Sequence, residues 1–495
     1  MLRVWSLGFA LTKSSNISVH AQITSKIIEE IKRGRLKPNV AMPGSRKLAD
    51  TLSVNRKTVL LAYAELVEQG WLVTERNRGT FVSEKLPDIL DSNGPAVEEN
   101  SSLIEQQAVL GIENASSFPK EQVIEFNDGD PDTRLLPFEI IARTFRRALI
   151  TSGRSNKLGY QDPLGMLSLR QSVLHMLSMQ RGLHANLENI CILRGSQMGI
   201  YLSARLLTRQ DDYIAVEELT RPSARNVFQS FGATVVNIGL DQDGMKIEEL
   251  EKLCKEVKLK AVYVTPHHQF PTTAMMSKER RLRLLMLAEQ YDFYIIEDDY
   301  AHEFHFSGDS VFPLASYGVS DRILHIGSLS KILAAGLRLG YLIAPSQFIS
   351  KCADEITMID IQGNLIMEMA VSELMETGEL NRHVRKASKI YEDRRLQLEM
   401  LIRRELPAFV EFSLPEGGLA FWIKLKQPTN VAAFVEQSEK NKLRVVPASI
   451  FSNDNEEVVG IRLGFASLNS KELEQAISRL KKTLIDLQAK ARLHS

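Results

Sequence analysis

Short apolar segments of β type alternate with helical stretches through the middle of the 495-residue chain, and this alternation limits the fold more than any other sequence feature. Each segment has the continuous apolar character of a strand that is buried on both faces of a sheet. Strands that are separated by helices form mainly parallel sheets with helices on both faces. We therefore predict a doubly wound α/β sheet, with strands at 213–216, 234–238, 261–264, 293–296 and 322–326.

The fourth of these segments runs directly into the acidic sequence Glu297-Asp298-Asp299-Tyr300. Ligands bind at the carboxyl ends of the strands in such sheets, so these side chains are predicted to line a cleft. A second polar stretch follows at 327–341, where Lys331 stands among hydroxyl residues with Arg338 further on. A lysine amine forms a Schiff base with an aldehyde, while hydroxyl and guanidinium groups bind phosphate. The two stretches together predict pyridoxal 5′-phosphate on Lys331.

The chemistry of this cofactor gives the neighbouring side chains defined roles. A lysine beside serines is by itself an ordinary solvated surface feature, and only the combination favours a cofactor. Asp298 is predicted to pair with the protonated pyridine nitrogen, and Tyr300 to reach the ring hydroxyl. The phosphate is predicted to bind hydroxyl groups, a guanidinium group and the N–H groups of a helix start after a strand and a glycine, which belong to Ser328, Ser330, Arg338, Ser196 and Gln197.

The first 84 residues carry a net positive charge, with 13 basic and 7 acidic side chains, although Lys+Arg and Asp+Glu balance at 61 each over the chain. A basic segment of this kind suggests an anionic polymer as partner. An amphipathic helix is predicted at 23–31, a short helix at 45–52 and a longer one at 56–69, whose apolar face is Val59, Tyr63 and either Leu66 or Val67. A short helix, a turn and a second helix with basic residues at its start are typical of a helix-turn-helix.

Two β-type runs at 71–74 and 79–82 predict a hairpin with a basic tip, which is the wing of a winged helix-turn-helix. Such a tip lies along a phosphate backbone or enters a minor groove, while the second helix faces the major groove. A solvated basic face is the alternative for an isolated helix pair. We predict double-stranded DNA as the partner, contacted by Arg46, Asn55, Arg56, Lys57, Thr58, Arg76 and Arg78.

The chain is predicted to consist of a winged helix-turn-helix at 1–84, a flexible acidic linker at 85–121 and a large second domain at 122–495. The linker is predicted because periodicity fails there and Ser, Asn, Glu, Pro and Gly dominate. No apolar run approaches the roughly 18 residues of a membrane span, and 2–11 lacks a signal-peptide cleavage site, so we expect a cytoplasmic protein. Three widely spaced cysteines, Cys191, Cys254 and Cys352, are expected to be reduced thiols.

These motifs resemble the MocR subfamily of GntR-type bacterial transcription regulators over roughly residues 17–84 and 124–490. The head matches at Met42-Pro-Gly-Ser-Arg46 and at Arg78-Gly-Thr-Phe-Val82, and the body matches at the lysine stretch and at Leu158-Gly-Tyr-Gln-Asp-Pro-Leu-Gly165. In that family, a winged helix-turn-helix is fused to a domain that resembles fold-type I aminotransferases. The resemblance implies a mixed, mainly parallel sheet with helices on both faces and a small C-terminal α+β lobe.

The resemblance also implies residue roles and a function. Tyr160 matches the tyrosine that reaches the cofactor phosphate of the neighbouring subunit, which implies a homodimer, and Arg462 matches the arginine that holds an amino acid carboxylate. The predicted protein is a DNA-binding transcription regulator that senses an amino acid or amine effector by transaldimination at Lys331. One alternative is an active aminotransferase with an accessory DNA-binding domain, and another is a DNA-binding protein whose body lacks the cofactor.

Three positions depart from the family pattern. Arg221 stands where a tyrosine usually stacks on the pyridine ring, Thr273 where glycine is usual, and Ala335 where proline is usual. These departures bear on the efficiency of transamination more than on cofactor binding.

Histidines flank the predicted cofactor residues on both sides. His267 and His268 follow one strand, and His302 and His305 follow the acidic sequence. Imidazoles at such positions are candidate metal ligands. We nevertheless predict no metal site, because the lysine stretch gives Asp298 a better-defined role.

Overall fold

The structure is a computed structural model that describes residue 11 and residues 17–76, 78–87, 123–155, 158–306, 311–317, 321–452 and 457–494. The chain divides into two compact units, Met1–Ala115 and Ser116–Ser495. From residue 88 onwards, the predicted linker at 85–121 lies outside the described residues. The first unit is called the head below, and the second unit is called the body.

The head has the predicted order of three helices and a hairpin. Its elements are α1 (Val19–Lys32), α2 (Ser45–Leu52), α3 (Arg56–Glu68), β1 (Leu72–Glu75) and β2 (Gly79–Val82). The strands pair antiparallel, with Leu72 opposite Val82 and Glu75 opposite Gly79. The winged helix-turn-helix prediction is therefore confirmed in its order and, to within a few residues, in its bounds.

Helix α3 is held in place by its apolar face and by its N-cap. Val59 and Leu66 are fully buried, whereas Val67 is 37% exposed, so Leu66 is the core position of the two alternatives. The Asn55 side-chain oxygen accepts a hydrogen bond from the Lys57 N–H at 2.8 Å and satisfies one of the open donors at the helix start. The basic N-terminus of α3 is thus capped by a residue of the turn that precedes it.

The body contains both long helices and short strands. Its helices are α4 (Phe138–Arg154), α5 (Leu167–Arg181), α6 (Ser196–Leu207), α7 (Pro222–Ser230), α8 (Ile247–Glu256), α9 (Lys278–Tyr291), α10 (Ser346–Asp360), α11 (Leu365–Glu376), α12 (Glu379–Glu405), α13 (Val431–Lys440) and α14 (Ser470–His494). Its strands are β3 (Ile124–Glu125), β4 (Ile190–Leu193), β5 (Tyr213–Glu217), β6 (Thr234–Ile238), β7 (Leu240–Asp241), β8 (Gly244–Met245), β9 (Leu259–Val264), β10 (Tyr294–Asp299), β11 (Ile323–Ser328), β12 (Gly340–Ile343), β13 (Val410–Phe412), β14 (Ala420–Asn430), β15 (Leu443–Arg444), β16 (Val446–Pro447) and β17 (Glu457–Gly464).

Seven of these strands form the central sheet in the order β4-β12-β11-β10-β9-β5-β6. Strand β12 runs antiparallel to both of its neighbours, and the other pairings are parallel. The predicted α/β class is therefore confirmed as a mixed, mainly parallel sheet. Because β12 is reversed, it begins at the same edge at which β4, β10 and β11 end.

The C-terminal part of the body forms a small lobe around a second sheet, with strand order β13-β14-β17-β16. Its strands are antiparallel, and α12, α13 and α14 pack against them around the buried rings of Phe421, Phe434 and Phe465. The small α+β lobe that the resemblance implies is thus present. Among the described residues, no helix is both long and apolar enough to cross a membrane.

Candidate functional site

The acidic sequence after the fourth predicted strand is itself part of strand β10, and all three of its carboxylates are buried. Successive side chains of a strand point to opposite faces, so Asp298 faces one side while Glu297 and Asp299 face the other. Glu297 accepts hydrogen bonds from the Leu314 N–H at 2.7 Å and lies 2.9 Å from His325 Nδ1. Glu297 therefore has structural partners, which leaves it no open position for a ligand role.

Asp299 forms a buried ion pair on the same face. Its Oδ2 accepts a hydrogen bond from Arg181 Nη2 at 2.5 Å, and the two side chains are 1% and 8% exposed. Burial alone raises the pKa of Asp299, but the Arg181 guanidinium outweighs burial and holds this pKa well below its usual range. Asp299 is thus a permanent carboxylate that is already paired.

Asp298 is the acid that remains available. Its Oδ2 accepts a hydrogen bond from the Tyr263 hydroxyl of β9 at 2.7 Å, whereas its buried Oδ1 has no hydrogen-bond partner among the described residues. Burial raises the pKa of Asp298, and the Arg221 guanidinium opposes this rise. A buried acceptor without a partner is costly, and a cationic N–H donor such as a protonated pyridine nitrogen would remove that cost.

The Lys331 amine lies at the edge of the sheet, after the end of β11. Its Nζ donates hydrogen bonds to Asp130 Oδ1 at 2.7 Å and to the Gly129 carbonyl at 3.1 Å. Burial lowers the pKa of Lys331, and the Asp130 carboxylate opposes that shift. A lowered pKa raises the fraction of neutral amine, which is the form that attacks an aldehyde.

Three segments meet closely where the phosphate is predicted to bind. Gly195 precedes α6 with φ +81°, and a Cβ atom at this position would lie 3.1 Å from the Arg338 guanidinium. Arg338 Nη2 donates to the Arg194 carbonyl at 3.1 Å, and a Cβ at Gly340 would lie 2.8 Å from the Gly327 carbonyl. The N–H groups of the first turn of α6, those of Ser196 and Gln197, have no partner within the helix. Arg338 and a helix N-terminus thus converge on one point, which suits an anion.

The two predicted hydroxyl groups lie beside this point. Ser328 is the last residue of β11, opposite Gly340 of β12. Its Oγ accepts from the Ser330 N–H at 3.3 Å, and Ser330 Oγ donates to the Leu339 carbonyl at 3.3 Å. Gln197 Nε2 donates to the Ser223 carbonyl at 3.3 Å, so its side chain turns towards α7 and only its N–H remains for an anion.

Arg221 packs against aromatic rings of the site. Its guanidinium carbon lies 3.9 Å from the ring centroid of Phe270 and 4.9 Å from that of Tyr300. Its Nη1 is 3.6 Å from Asp128 Oδ2. Burial raises the pKa of Asp298 and lowers that of Lys331; the Arg221 cation opposes the first shift and adds to the second, which a neutral tyrosine would not do.

Arg462 of β17 reaches the same rings from the small lobe. Its guanidinium carbon lies 4.6 Å from the Phe270 centroid, its Nη1 donates to the Pro271 carbonyl at 2.6 Å, and its Nη2 is 3.5 Å from the Tyr300 hydroxyl. Arg462 is 1% exposed, so its guanidinium group is in contact with protein groups and not with solvent. The structure thus brings together Arg462, Tyr300 and Arg221 around Phe270.

One short segment at 127–130 joins the small lobe to the lysine. The Gly464 N–H of β17 donates to the Asn127 carbonyl at 3.0 Å, and a Cβ at Gly129 would lie 3.3 Å from the Leu419 carbonyl. Three residues after Asn127, Asp130 pairs with Lys331. Backbone contacts with the small lobe therefore fix the position of the carboxylate that holds the amine.

Three contributors to the site were given no individual role from the sequence. Tyr263 lies in the middle of a buried strand, where an aromatic residue is ordinary core, and only the pairing of β9 with β10 places it beside Asp298. Asp128 and Asp130 lie far from Lys331 in the chain. The available signal was the segment Phe126-Asn-Asp-Gly-Asp-Pro-Asp132, which resembles a substrate-cleft segment of fold-type I enzymes. Tyr160, which is predicted to reach the cofactor phosphate of the neighbouring subunit, is 78% exposed.

The backbone conformation at Thr273 explains why glycine is usual at this position. Its φ is +63°, a left-handed conformation that is strained for a β-branched residue. We predict that Thr273→Gly stabilises the body by about 1 kcal/mol, because relief of that strain exceeds the greater loss of chain entropy at glycine. The shift of the urea midpoint of the body measures this gain.

Thr272→Gly is the matched control for this substitution. Thr272 Oγ1 donates to Gln269 Oε1 at 2.6 Å, so removing its side chain is expected to destabilise the body by about 1 kcal/mol. A Thr273→Gly variant that is less stable than the native protein would contradict the strain argument.

The predicted DNA-contacting residues of the head form an exposed basic surface. Arg46 of α2 and Arg56 and Lys57 at the start of α3 are exposed, and Arg56 Nε donates to Ser45 Oγ at 3.3 Å across the turn between the helices. Thr58, in the first turn of α3, is half-buried.

The wing presents two further arginines. Arg76 and Arg78 are exposed on either side of the hairpin tip, whose residue 77 lies outside the described part of the head. Arg78 pairs with Glu75, and its guanidinium carbon lies 5.5 Å from the Phe81 ring centroid. These contacts hold the Arg78 side chain against the wing, where it can meet a phosphate.

Two family models match the chain in non-overlapping regions. The model of bacterial regulatory proteins of the gntR family matches residues 20–82, and the model of aminotransferase class I and II matches residues 121–480. The second match covers more than half of the chain and includes every residue of the candidate site in the body.

Similar proteins include both regulators and aminotransferases. The uncharacterized HTH-type transcriptional regulator YdeL of Bacillus subtilis is 27% identical, over 95% of this chain and 98% of its own length. The probable rhizopine catabolism regulatory protein MocR of Rhizobium meliloti is 25% identical, over 98% of this chain and 97% of its own. The crystal structure of kynurenine aminotransferase from Pyrococcus horikoshii, solved with PMP, matches with TM-score 0.69 and 28% identity over 74% of this chain and 92% of its own.

Proposed function

The chain belongs to the aminotransferase class I and II family, joined in the order of MocR-like regulators to a gntR-family head, and from this premise we propose that it is a bacterial cytoplasmic transcription regulator that senses an amino acid or amine. The observation that carries the proposal is the similarity to regulators over at least 95% of the chain, head and body together. An aminotransferase alone accounts for 74% of it.

The residues of the body fit pyridoxal 5′-phosphate. The unpartnered Oδ1 of Asp298 suits the protonated pyridine nitrogen, and the convergence of Arg338 with the start of α6 suits the phosphate. The family fold generally holds this cofactor, and the kynurenine aminotransferase was solved with the related PMP. When bound, the cofactor supplies an aldehyde that can exchange the Lys331 amine for the amine of an effector by transaldimination.

The side chains around the aldehyde would hold the ring in place and set the charge at the Lys331 amine. The Asp130 carboxylate would be the partner of the Lys331 amine whenever that amine is free and protonated. Asp298, kept anionic by a cationic ring nitrogen, would hold the ring in place, and the Tyr300 hydroxyl would hydrogen-bond to the ring oxygen. Burial lowers the pKa of the Lys331 amine, and the Arg221 charge would act in the same direction.

Arg462 is suited to the carboxylate of an amino acid effector. Its guanidinium presents two parallel donors, and a carboxylate is a stronger acceptor than the Pro271 carbonyl to which it now donates. Because Arg462 belongs to β17, its movement towards a ligand would move the small lobe with it. An effector regulates only if it binds one arrangement better than the other.

We place the protein as a homodimer on double-stranded DNA. The exposed ring of Tyr160 is available to reach the cofactor phosphate of a second protomer, as the family resemblance implies. Two heads would then read two half-sites, with Arg46, Arg56 and Lys57 at the major groove and Arg76 and Arg78 at the backbone.

The decisive experiment treats the cofactor-loaded full-length protein with a panel of amino acids and amines. We expect at least one compound to change the visible absorption spectrum and the affinity for the protein's own promoter DNA at the same concentration. A spectral change that leaves the DNA affinity unaltered for every compound would contradict the regulatory proposal.

The same assay tests the alternative of a catalytically active aminotransferase. Adding a keto acid as second substrate leads to sustained product formation if the body turns over, and to a stalled spectrum if it only senses. Arg221, Thr273 and Ala335, which depart from the family pattern, lead us to expect the stalled spectrum.

A further inference from the structure

Three histidines lie together beside the candidate cofactor site, and the proposed function uses none of them. His267 and His268 follow β9, and His305 follows β10 after the acidic sequence. The ring centroids are 4.4 Å apart for His267 and His268, 5.7 Å for His267 and His305, and 6.1 Å for His268 and His305. One nitrogen from each ring can be chosen so that all three lie within 4.8 Å of one another.

Two of these rings are buried without hydrogen bonds. His267 and His268 are each 3% exposed, and neither Nδ1 nor Nε2 of either ring has a hydrogen-bond partner among the described residues. A buried imidazole normally has its nitrogens satisfied, and each of these neutral rings has one lone pair without a partner among the described residues. A metal ion is a partner that accepts one lone pair from each of several rings at once.

We infer that His267, His268 and His305 form a binding site for a divalent transition metal ion of the zinc type. Imidazole suits Zn²⁺, and three protein nitrogens with one open position are a known arrangement for this ion. Nitrogens on a tetrahedral ion with bonds of about 2.0 Å lie about 3.3 Å apart, so the rings need to approach by roughly 1.5 Å.

The surroundings leave room for a fourth ligand. A cavity of about 210 Å³ is lined by His267 and His305 together with His302, Glu303 and Arg181. Arg181 is a cation close to the site, but Asp299 pairs with it at 2.5 Å and offsets its charge. A water molecule or a small anion in the cavity would complete a tetrahedral shell.

This inference departs from the sequence-based prediction of no metal site, and the reason for the departure is spatial. His305 is separated from His268 by more than 30 residues of chain, so only the pairing of β9 with β10 brings the rings together. The ion would also join two segments, the one after β9 and the one after β10. A Cβ at Gly417 of the small lobe would lie 2.6 Å from His268 Nε2, so the lobe packs directly on a ligand.

The test uses tag-free full-length protein that is stripped with a chelator, desalted and loaded with Zn²⁺ or Co²⁺. We expect one ion per chain to remain after gel filtration, the Co²⁺ form to show the visible bands of tetrahedral coordination, and Zn²⁺ to raise the unfolding temperature. Retention of no ion by the native protein would overturn the inference.

Substitutions then locate the site. His268→Gln and His305→Gln are each expected to weaken Zn²⁺ binding at least ~100-fold, because loss of a ligand exceeds the cost of losing a group that only orients one. The matched control is His302→Gln, which removes an equally buried histidine of the same cavity and is expected to retain the ion. Equal retention by natively folded His268→Gln and His305→Gln proteins would also overturn the inference.

A direct count of ligands covers the case in which the substitutions unfold the protein. X-ray absorption of the Zn²⁺-loaded native protein distinguishes imidazole from oxygen ligands. Three imidazoles support the site, whereas a shell of oxygen ligands alone means a surface ion and contradicts it.

Discussion

Replacing Lys331 with alanine is expected to remove the visible cofactor band of the purified protein completely and to abolish any effect of amines on DNA affinity. The amine of Lys331 is the group that the site holds ready, 2.7 Å from Asp130 and with a pKa that burial lowers. An effector typically changes the affinity for a second ligand by about 5–150-fold, and in the Lys331→Ala protein it should leave the DNA affinity unchanged. Absorption spectra and fluorescence anisotropy with promoter DNA measure the two effects.

Two further variants separate covalent chemistry from charge. Lys331→Arg preserves a cation for Asp130 but cannot form the bond to an aldehyde, so it should lose the band as fully as alanine does. Lys351→Ala removes an exposed lysine of α10 and should change neither measurement. A Lys331→Ala protein that keeps its band would show that another amine carries the cofactor.

Replacing Arg46 or Arg56 with alanine is expected to weaken binding of promoter DNA by about 1–3 kcal/mol each where the side chain reads a base edge. Both side chains are exposed on the helix pair, and the hydrogen bond between Arg56 and Ser45 joins α2 to α3 at the surface that is predicted to face DNA. If a side chain contacts only a phosphate, the slope of affinity against salt should fall by about 1 instead. Titrations at several salt concentrations distinguish these results.

The control for the head is Arg35→Ala. Arg35 is an equally exposed arginine after α1 that pairs with Glu30 at 3.1 Å, away from the helix-turn-helix. Its loss removes the same charge, so it should cost DNA binding far less than Arg46→Ala or Arg56→Ala. Equal losses in all three variants would mean that the head binds by net charge alone.

Local sequence patterns predicted most of the head. The helix and strand bounds agree to within a few residues because capping, apolar periodicity and turn residues all act over short distances. The choice between Leu66 and Val67 was left open by periodicity alone. It depends on where α3 meets the rest of the head, and burial of Leu66 decides it.

The body was predicted less completely, and for a different reason. The strand at 293–296 continues through Asp299, because a strand at the centre of a sheet can bury carboxylates that partners such as Arg181 and Tyr263 satisfy. Strand β12 is only four residues long and begins inside the lysine stretch at 327–341, so no separate strand was predicted there. Contacts between distant segments, such as Asp130 with Lys331, follow from the strand order and not from local pattern.

The anchoring of the 127–130 segment has a mechanical consequence. Its first residue, Asn127, is hydrogen-bonded to β17 of the small lobe, and its last, Asp130, is paired with the Lys331 amine. The segment therefore connects the small lobe mechanically to the amine. A displacement of the lobe by a fraction of an ångström would alter the local electric field at the amine, and a change of charge there would pull on the lobe in return. A reaction at the Lys331 amine and a movement of the small lobe would then be coupled through segment 127–130.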